Sequence, residues 1–535
     1  MATGYLALIL HAHLPYVRHP EYPEFLEEDW LYEAITETYI PLIQMMRGLS
    51  ADQVPFALTM SITPPLCAML RDPLLQERYV RYIDRAIGLA EREVERTQHD
   101  SRLQELARFY LERFRSCRCF FVKECKGQLL PAFAQLQDEG RLEIITCAAT
   151  HGFLPLMQNF PEAVRAQVLI ARDDYRACFG RDPQGIWLPE CGYVAGIEAI
   201  LAEANIRWFV IDSHGLMFGN PRPRYAIFAP CYTPAGPAVF SRDRESSRQV
   251  WSQEDGYPGD PAYRDFYRDI GFDLEPERLG EFLPPDSPRK FSGIKYHRIT
   301  GATSDKDVYN RAWAMGAADA HAGHFLHSRV TQIEQLLENT NIDPIVVSPY
   351  DAELFGHWWF EGPDFLNLFI RKAAFDQQTF TMTTPSRFLS DHPTQQLVVP
   401  SASSWGHKGY WEVWLDECNS WIYPHLHAAA RRMTEVATEF AANPALLTPV
   451  AERALRQLVR ELLLAQSSDW AFLMKTGTAS TYASKRTKDH ILRFTRLYDQ
   501  VRGRNIDEKF LENCEWRDNI FPNVEWRHYV RKESA

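Results

Sequence analysis

The sequence has no long apolar run, and this absence excludes integral membrane proteins of the helical type. None of its apolar segments reaches the roughly 18 residues that a helix needs to span a bilayer. The N-terminal run GYLALIL is too short for a signal peptide, and neither a basic segment nor a small-residue cleavage site accompanies it. We interpret this run as a first strand and expect a cytoplasmic protein with no membrane partner.

The sequence also lacks paired cysteines. Ten cysteines are scattered along 535 residues, and the densest group is CRCFFVKEC at residues 117–125. This group lies in a stretch with helical spacing and has no matching second pair, which a zinc site of this type needs. We expect free thiols, as in other cytoplasmic proteins, and no metal or organic cofactor.

Positive charge is scarce relative to negative charge. The formal net charge is −12 and the sequence pI is about 5.8. A nucleic-acid backbone or an anionic membrane attracts basic surfaces, so neither is expected as the main partner. Internal repeats and low-complexity tracts are absent too. The length is too great for one simple core and predicts two to four structural units.

Aromatic residues, in contrast, are abundant. They make up 13% of the chain and include 14 tryptophans. A sugar-binding cleft uses exposed rings, because the C–H face of a pyranose stacks on an aromatic plane. A tryptophan-rich core explains the same composition equally well, so composition alone leaves both alternatives open.

Short apolar runs alternate with helical patterns over the first 390 or so residues. Such alternation predicts a parallel sheet, and about seven strands favour a closed or nearly closed barrel. GIKYHRIT at 293–300 is either an eighth strand or a loop. The expected strands are residues 5–10, 55–62, 142–148, 185–188, 207–212, 344–348 and 380–384.

Three segments interrupt this alternation of strands and helices and define the expected domains. Residues 70–135 have helical spacing without a strand and predict a helical insertion. Residues 213–292 predict a long loop region, and a loop of this length usually forms a lid or a cleft wall. A catalytic barrel is therefore expected over residues 1–400, and a helical domain that contributes to the substrate cleft over residues 401–535.

Titratable side chains follow several of the expected strands. In a parallel barrel the carboxyl ends of the strands carry the chemistry. Each residue has an ordinary explanation, such as a core histidine, a helix cap or a structural ion pair, but their coincidence indicates a functional site. These residues are His11, His13, His151, Glu190, Asp212 and Asp351.

Two of the carboxylates among them are Glu190 in GIWLPECGY and Asp351 in SPYDAELFGHWW. Glycoside cleavage needs two such groups with different tasks. One must be ionised to attack the anomeric carbon, and the other must be protonated to donate to the leaving oxygen. Apolar surroundings raise a carboxyl pKa and hydrogen-bond donors lower it, so one barrel can supply both forms.

The HAH sequence at residues 11–13 permits a different interpretation. Metal-dependent amidohydrolases begin with a His-x-His at the end of the first barrel strand, where both rings bind a divalent ion. That alternative needs further ligands, for which His151, His297 and Asp351 are available. It leaves the tryptophans near the candidate residues unexplained.

Five segments in order resemble family 57 of the glycoside hydrolases, and more narrowly its 1,4-α-glucan branching enzymes. The resemblance extends over nearly the whole chain. The segments are HAHLPY (11–16), ATHGFLPL (149–156), GIWLPECGY (185–193), SPYDAELFGHWW (348–359) and SSWGHKGYWEVWL (403–415).

This resemblance implies an α/β fold, namely a distorted (β/α)7 barrel with a helical insertion and a C-terminal all-helical domain. It also implies a retaining mechanism with Glu190 as nucleophile and Asp351 as acid/base. His11, His13 and His151 match positions that line the subsite of the reacting glucose.

The resemblance implies further substrate contacts, although Gly280 is assigned by approximate spacing only. A loop tyrosine should shield the covalent intermediate from water, with Tyr232 as first choice and Tyr257 as second; ordinary loop packing is the alternative for both. Beside the catalytic strand, Tyr193 is expected to touch sugar and Trp187 to lie between core and cleft. The other implied contacts are Arg264, Gly280, Trp405 and Asp469, with Trp30, Trp359, Trp411 and Trp414 as cleft aromatics.

The sequence thus predicts a branching enzyme that cuts α-1,4 bonds of a linear glucan and forms α-1,6 branches, as in glycogen biosynthesis. The partner is an α-glucan, and the expected state is a monomer or a weak homo-oligomer. An α-amylase or a 4-α-glucanotransferase on the same site is the first alternative. A non-catalytic glucan-binding protein is the second.

Overall fold

A computed structural model describes residues 4–251, 256–284 and 287–532. All seven expected strands are present, whereas residues 293–300 form only the isolated bridges Arg264–Arg298 and His297–Val308. The strands are β1 Gly4–Ala12, β2 Leu58–Ile62, β3 Leu142–Ile145, β4 Gly185–Trp187, β5 Trp208–Ile211, β6 Cys231–Tyr232, β7 Ala238–Ser241, β8 Ile345–Asp351, β9 Phe380–Met382 and β10 Gln396–Leu397.

Seven parallel strands close a barrel. Strand β1 pairs with β2 and β8, β2 with β3, β4 with β5, and β5 with β7, all in parallel. A parallel bridge between Thr146 and Ile186 joins β3 to β4. Between β7 and β8, the Asp243 N–H donates to the Val347 carbonyl at 2.8 Å. The expected (β/α)7 barrel is therefore confirmed.

One barrel strand differs from the expectation. Strand β9 pairs with only the first three residues of β1, at the end of β1 remote from its pairing with β2. The sixth strand of the barrel is instead β7, in the region 213–292 that was expected to be a loop. That expectation is wrong in this respect, because a four-residue run such as AVFS is too short for periodicity to distinguish from a loop.

Helices surround the barrel and fill the C-terminal region, and no helix in the described ranges is long and apolar enough to cross a membrane. A π-helical segment, Ile35–Tyr39, lies between the first two helices. The helices are α1 Asp29–Ala34, α2 Ile40–Ala51, α3 Pro64–Arg71, α4 Pro73–Arg96, α5 Ser101–Cys119, α6 Leu130–Asp138, α7 Pro161–Phe179, α8 Ile197–Glu203, α9 Ser213–Met217, α10 Arg244–Trp251, α11 Ile270–Asp273, α12 Pro276–Leu279, α13 Arg311–Asn339, α14 Gly362–Phe375, α15 Pro385–Asp391, α16 Ile422–Ala442, α17 Pro449–Ala465, α18 Ser468–Thr476, α19 Ser480–Arg502 and α20 Glu508–Arg517.

Helix α4 shows why residues 70–135 are helical. The Asp72 carboxylate accepts hydrogen bonds from the Leu74 and Leu75 N–H groups, and Pro73 occupies the first turn. Buried side chains then recur at three- and four-residue spacing, from Leu75 to Ala90. Helices α4 and α5 pack against each other in this segment. Its role as a separate insertion stays a prediction.

The C-terminal helices begin later than their sequence pattern indicates. Residues 410–421 form turns, and α16 begins only at Ile422. The buried Asn419 side chain accepts from the Asp416 N–H at 2.7 Å and donates to the Val413 carbonyl at 2.9 Å. Such side chain–backbone bonds compete with helix formation, which a hydrophobic pattern does not register.

The neighbouring tryptophans 358 and 359 allow a test of the core. Trp359 is 1% exposed and packs against Tyr263 and Phe365, whereas Trp358 is 54% exposed. We expect Trp359→Ala to lower the free energy of unfolding by about 3–5 kcal/mol, because it leaves a cavity. Trp358→Ala is the control and should lower it by about 1 kcal/mol or less, because it removes only a partly exposed ring contact with Phe266. Equal losses in urea unfolding would contradict this assignment of the core.

Candidate active site

The carboxyl ends of the barrel strands bring the expected titratable residues together. Parallel pairing of β1 with β8 places His11 beside Asp351. Glu190 follows β4 and has left-handed backbone angles, φ 60° and ψ 24°. His151, after β3, also has a positive φ of 57°. Such backbone strain in residues other than glycine costs on the order of 1 kcal/mol and concentrates at functional sites.

Two donors hold the Glu190 carboxylate. The Trp405 indole Nε1 donates to Oε2 at 2.7 Å, and the Ser468 hydroxyl donates to Oε1 at 3.3 Å. Burial raises the pKa of Glu190 to about 7, and the hydrogen bond from Trp405 opposes this shift. The side chain is therefore fixed in position and close to its titration point at neutral pH.

Asp351 ends β8 and, like Glu190, is half-buried. Burial and, to a smaller extent, the negative charge of Glu353 raise the pKa of its carboxyl to about 7, while His13 and Arg242 oppose the shift. The charge of Asp351 is in turn one of those that raise the pKa of Glu190. The barrel mouth thus holds two electrostatically coupled carboxyl groups in a desolvated environment.

Three histidines surround this pair. His13 Nε2 lies 3.1 Å from both oxygens of Asp469, and His11 Nε2 lies 3.1 Å from His151 Nε2. Burial lowers the pKa values of His11 and His151 well below the usual range, so both rings are neutral. Burial opposes ionisation of Asp469, but His13, His151 and Ser467 together hold its pKa at about 2.

The cluster of His13, His151 and Asp469 allows the metal-dependent amidohydrolase alternative to be tested. Donor atoms of His13, His151 and Asp469 lie within 4.8 Å of one another, as a metal site would require. However, His297 lies outside this group, with Nδ1 3.2 Å from the Lys306 carbonyl. Moreover, His13 is already partnered on both ring nitrogens, by Thr63 and Asp469. The ligand set named for that alternative is therefore not assembled, because His297 lies apart from it.

The C-terminal region completes the site, as expected for Trp405 and Asp469. Helix α18 begins at Ser468, whose N–H donates to the His151 carbonyl at 3.1 Å. The Ser468 hydroxyl lies 2.8 Å from His151 Nδ1 and also reaches Glu190. Ser468 is not among the residues expected from the sequence, where its only signal is its position beside Asp469 in SSDWAF.

Glu353 and Arg242 were also missed. Glu353 Oε1 accepts from the His13 N–H at 3.1 Å and from the Tyr39 hydroxyl at 2.5 Å. Arg242, just after β7, lies over the Trp405 ring at 5.7 Å and donates to Asp212 at 3.2 Å. Glu353 lies within the segment SPYDAELFGHWW. Arg242 was not recognised as a strand-end residue, because β7 was expected to be loop.

Arg264 does not have the environment of a substrate contact. Its side chain is 1% exposed, and its Nη2 donates to Glu37 Oε1 at 3.1 Å. The guanidinium also lies over the Phe360 ring at 3.8 Å. A buried ion pair occupies the side chain in this structure, which gives no support to the expected direct contact.

Tyr232 lies at the wrong end of the barrel to shield an intermediate. It pairs with Ala238, the first residue of β7. Ala238 pairs with Trp208, and Trp208 with Gly185, which are the first residues of β5 and β4. Because Glu190 follows the other end of β4, Tyr232 is at the opposite end of the barrel, and our first choice was wrong.

The second choice, Tyr257, is 8% exposed and its hydroxyl lies 2.7 Å from His324 Nδ1 on α13, so it packs against that helix. Gly280 has a φ of 52° in an exposed turn against Arg92 of α4. The Leu279 carbonyl beside it accepts from Arg92 at 2.8 Å. These contacts connect both residues to the helical layer, and they give no support to either assignment.

Several expected cleft aromatics are core residues. Tyr193 is buried and its hydroxyl donates to Glu198, so it does not face a cleft. Trp359 and Trp414 are each 1% exposed, which excludes stacking on a sugar. Trp187 is buried and stacks on His11 at 4.6 Å. Trp30 and Trp411 are half-buried, and their contact with substrate stays a prediction.

Comparison with known proteins places this geometry in a family. The sequence model of glycosyl hydrolase family 57 matches residues 7–401. The chain belongs to this family. The model of the C-terminal region of 1,4-alpha-glucan branching enzymes matches residues 425–529. Trp405 lies between the two matched ranges, yet it contacts Glu190.

Individual relatives carry two different names. The chain is 34% identical to a 1,4-alpha-glucan branching enzyme of Thermococcus kodakarensis, over 98% of this chain and 78% of the relative. The structure of an alpha-amylase from Thermotoga maritima is 45% identical with a TM-score of 0.92, over 99% and 100% of the two chains. A family 57 branching enzyme of Pyrococcus horikoshii is 36% identical with a TM-score of 0.88, over 99% and 97%.

The buried position of Arg264 yields a prediction. We expect Arg264→Met to lower the free energy of unfolding by about 3–5 kcal/mol, because it leaves the Glu37 carboxylate buried without its partner. The control is Arg268→Met, since Arg268 forms an exposed ion pair with Asp273 and should contribute at most about 1 kcal/mol. A stable Arg264→Met protein with a selectively raised KM would instead restore the substrate-contact interpretation.

Proposed function

We propose that this family 57 protein is a 1,4-α-glucan branching enzyme with a retaining mechanism. The observation that supports it best is the Glu190 carboxylate, which Trp405 and Ser468 hold at the barrel mouth near the half-buried Asp351. The match to the branching-enzyme C-terminal region supports the same activity.

The two carboxyl groups divide the first chemical step. Asp351 donates its proton to the glycosidic oxygen while Glu190 attacks the anomeric carbon, so the C–O bond breaks and a glucosyl ester forms. In the second step Asp351 takes the proton of an incoming 6-hydroxyl, whose oxygen displaces Glu190. The product is an α-1,6 branch, and both carboxyl groups return to their initial protonation states.

Hydrogen bonding explains which group is ionised, although burial raises both pKa values to about 7. Trp405 and Ser468 donate to Glu190 and thus stabilise its carboxylate form. Negative charge raises both pKa values, from Asp469 at Glu190 and from Glu353 at Asp351, but only at Glu190 does a hydrogen-bond donor oppose the effect of burial. The environment therefore favours Glu190 as nucleophile and Asp351 as acid.

The neutral histidines and Asp469 suit the binding of the reacting glucose. A neutral imidazole both donates and accepts, as sugar hydroxyls do. Asp469, ionised at neutral pH, fixes the orientation of His13 through Nε2. We infer that His11, His13 and His151 bind hydroxyl groups of this sugar unit, with Asp469 as a further contact.

Branching requires that water be kept from the ester intermediate. From the region 213–292, the Trp251 ring lies 6.3 Å from the ring of Trp405. This position beside the residue that holds Glu190 suits a shielding role better than Tyr232 or Tyr257 does. We infer that Trp251 contributes to the exclusion of water.

An α-amylase is the second candidate, because the Thermotoga maritima structure named as one is 45% identical to this chain. The catalytic pair is equally suited to both reactions, which differ in the acceptor. Consistent with a storage function, we infer a glycogen-like product, a cytoplasmic location, and a monomer or weak homo-oligomer.

Linkage analysis of the products formed from amylose distinguishes a branching enzyme from an α-amylase. We expect new α-1,6 linkages with few new reducing ends, and Glu190→Gln should reduce turnover by about 10³-fold or more. Glu412→Gln, which removes an exposed carboxylate from the same C-terminal region, is the control. Reducing ends without α-1,6 linkages would establish hydrolysis instead, and a fully active Glu190→Gln protein would refute the mechanism.

The pH profile of kcat/KM tests the individual roles. Activity should fall at low pH as Glu190 is protonated and at high pH as Asp351 is deprotonated. Trp405→Phe removes a donor, raises the pKa of Glu190, and should move the acidic limb to higher pH by about one unit. Glu353→Gln removes a negative charge, lowers the pKa of Asp351, and should move the alkaline limb to lower pH. If Trp405→Phe moved the alkaline limb instead, and Glu353→Gln the acidic limb, the roles of the two carboxyl groups would be reversed.

A further inference from the structure

An exposed aromatic stack lies beside the candidate site. We propose that Trp358, Phe266 and Tyr267, here called the aromatic platform, form an additional subsite for glucose units of an α-glucan remote from the bond that is cut. This inference deepens the proposed function and rests on it for the identity of the ligand.

The platform is rigid and has one open face. The Trp358 ring stacks on Phe266 with centroids 4.5 Å apart and planes at 26°. The Lys295 ammonium lies over the Phe266 ring at 4.2 Å and donates to the Phe266 carbonyl at 2.5 Å. Because Phe266 covers one face of the indole and Trp358 is still 54% exposed, its other face is available to a ligand.

Backbone contacts connect the platform to the catalytic strand. The Trp358 N–H donates to the Glu353 carbonyl at 3.1 Å. The carboxylate of the same residue accepts from the His13 N–H at 3.1 Å. The neighbouring His357 is fixed by Glu37, at 2.7 Å from Nδ1. Trp358 therefore lies on the loop that follows β8 and Asp351, while Phe266 and Tyr267 come from residues 256–284 and pack beside it. In the proposal, the continuation of a cleft-bound chain lies on this face.

The chemistry of the platform matches a sugar better than a protein. A supported indole face stacks on the C–H face of a pyranose. Tyr267 is 68% exposed and adds a hydroxyl, and its ring meets the edge of Phe266 at 5.2 Å. The rim is charged, with Arg268 paired to Asp273. A stable protein interface needs a much larger contiguous surface than these rings supply.

Binding measured against chain length tests the platform. In a Glu190→Gln background, calorimetry with maltooligosaccharides should show that Trp358→Ala weakens binding of long chains by about three- to tenfold. The loss should shrink for chains too short to reach Trp358. Trp358→Tyr should retain most of the affinity. The control is Trp313→Ala, since Trp313 is also 61% exposed but lies on α13.

A merely structural role would weaken binding of all chain lengths equally, and that result would overturn the proposal. So would unchanged affinity for every length. A change in oligomeric state on gel filtration without a change in glucan affinity would assign the platform to a second copy of the chain instead. If amylose yields no α-1,6 linkages but the length-dependent loss is present, the branching proposal fails and the platform stands.

Discussion

The removal of water from the two carboxyl groups at the barrel mouth is the constraint on which the structure of the site depends. Burial raises the pKa values of Glu190 and Asp351 to about 7, so neither has a fixed ionisation state by itself. The neighbouring groups then determine which of the two carboxyl groups is ionised. Trp405 and Ser468 donate to one carboxylate, and Glu353 places negative charge near the other.

These donors explain why the helical C-terminal region belongs to the active site. Trp405, Ser468 and Asp469 are far from Glu190 in sequence, and all three reach the barrel mouth. The backbone bridge between Gly152 and Ser467 holds the start of α18 against the barrel. A barrel without this region would keep both carboxyl groups but lose the hydrogen bonds that distinguish them.

The choice between transfer and hydrolysis depends on parts of the molecule beyond the catalytic pair. Relatives named as a branching enzyme and as an alpha-amylase are both similar to this chain over nearly its whole length. What differs between the two reactions is how the second chain is held and how water is excluded. We propose Trp251, beside Trp405, for the exclusion of water, and the aromatic platform for holding a glucan chain.

The sequence by itself determined the strands with clear apolar runs and the titratable residues that follow them, because periodicity and strand ends are local properties. It therefore predicted the barrel, Glu190, Asp351 and the three histidines. Only the tertiary structure shows that Arg264 forms a buried ion pair, because its partner Glu37 is 227 residues away in the sequence. It also determines that Trp359 is buried whereas Trp358 is exposed. It places Tyr232 at the end of the barrel opposite Glu190. Whether a side chain is buried, and which way it points, depends on residues distant in the sequence, and no local pattern encodes these.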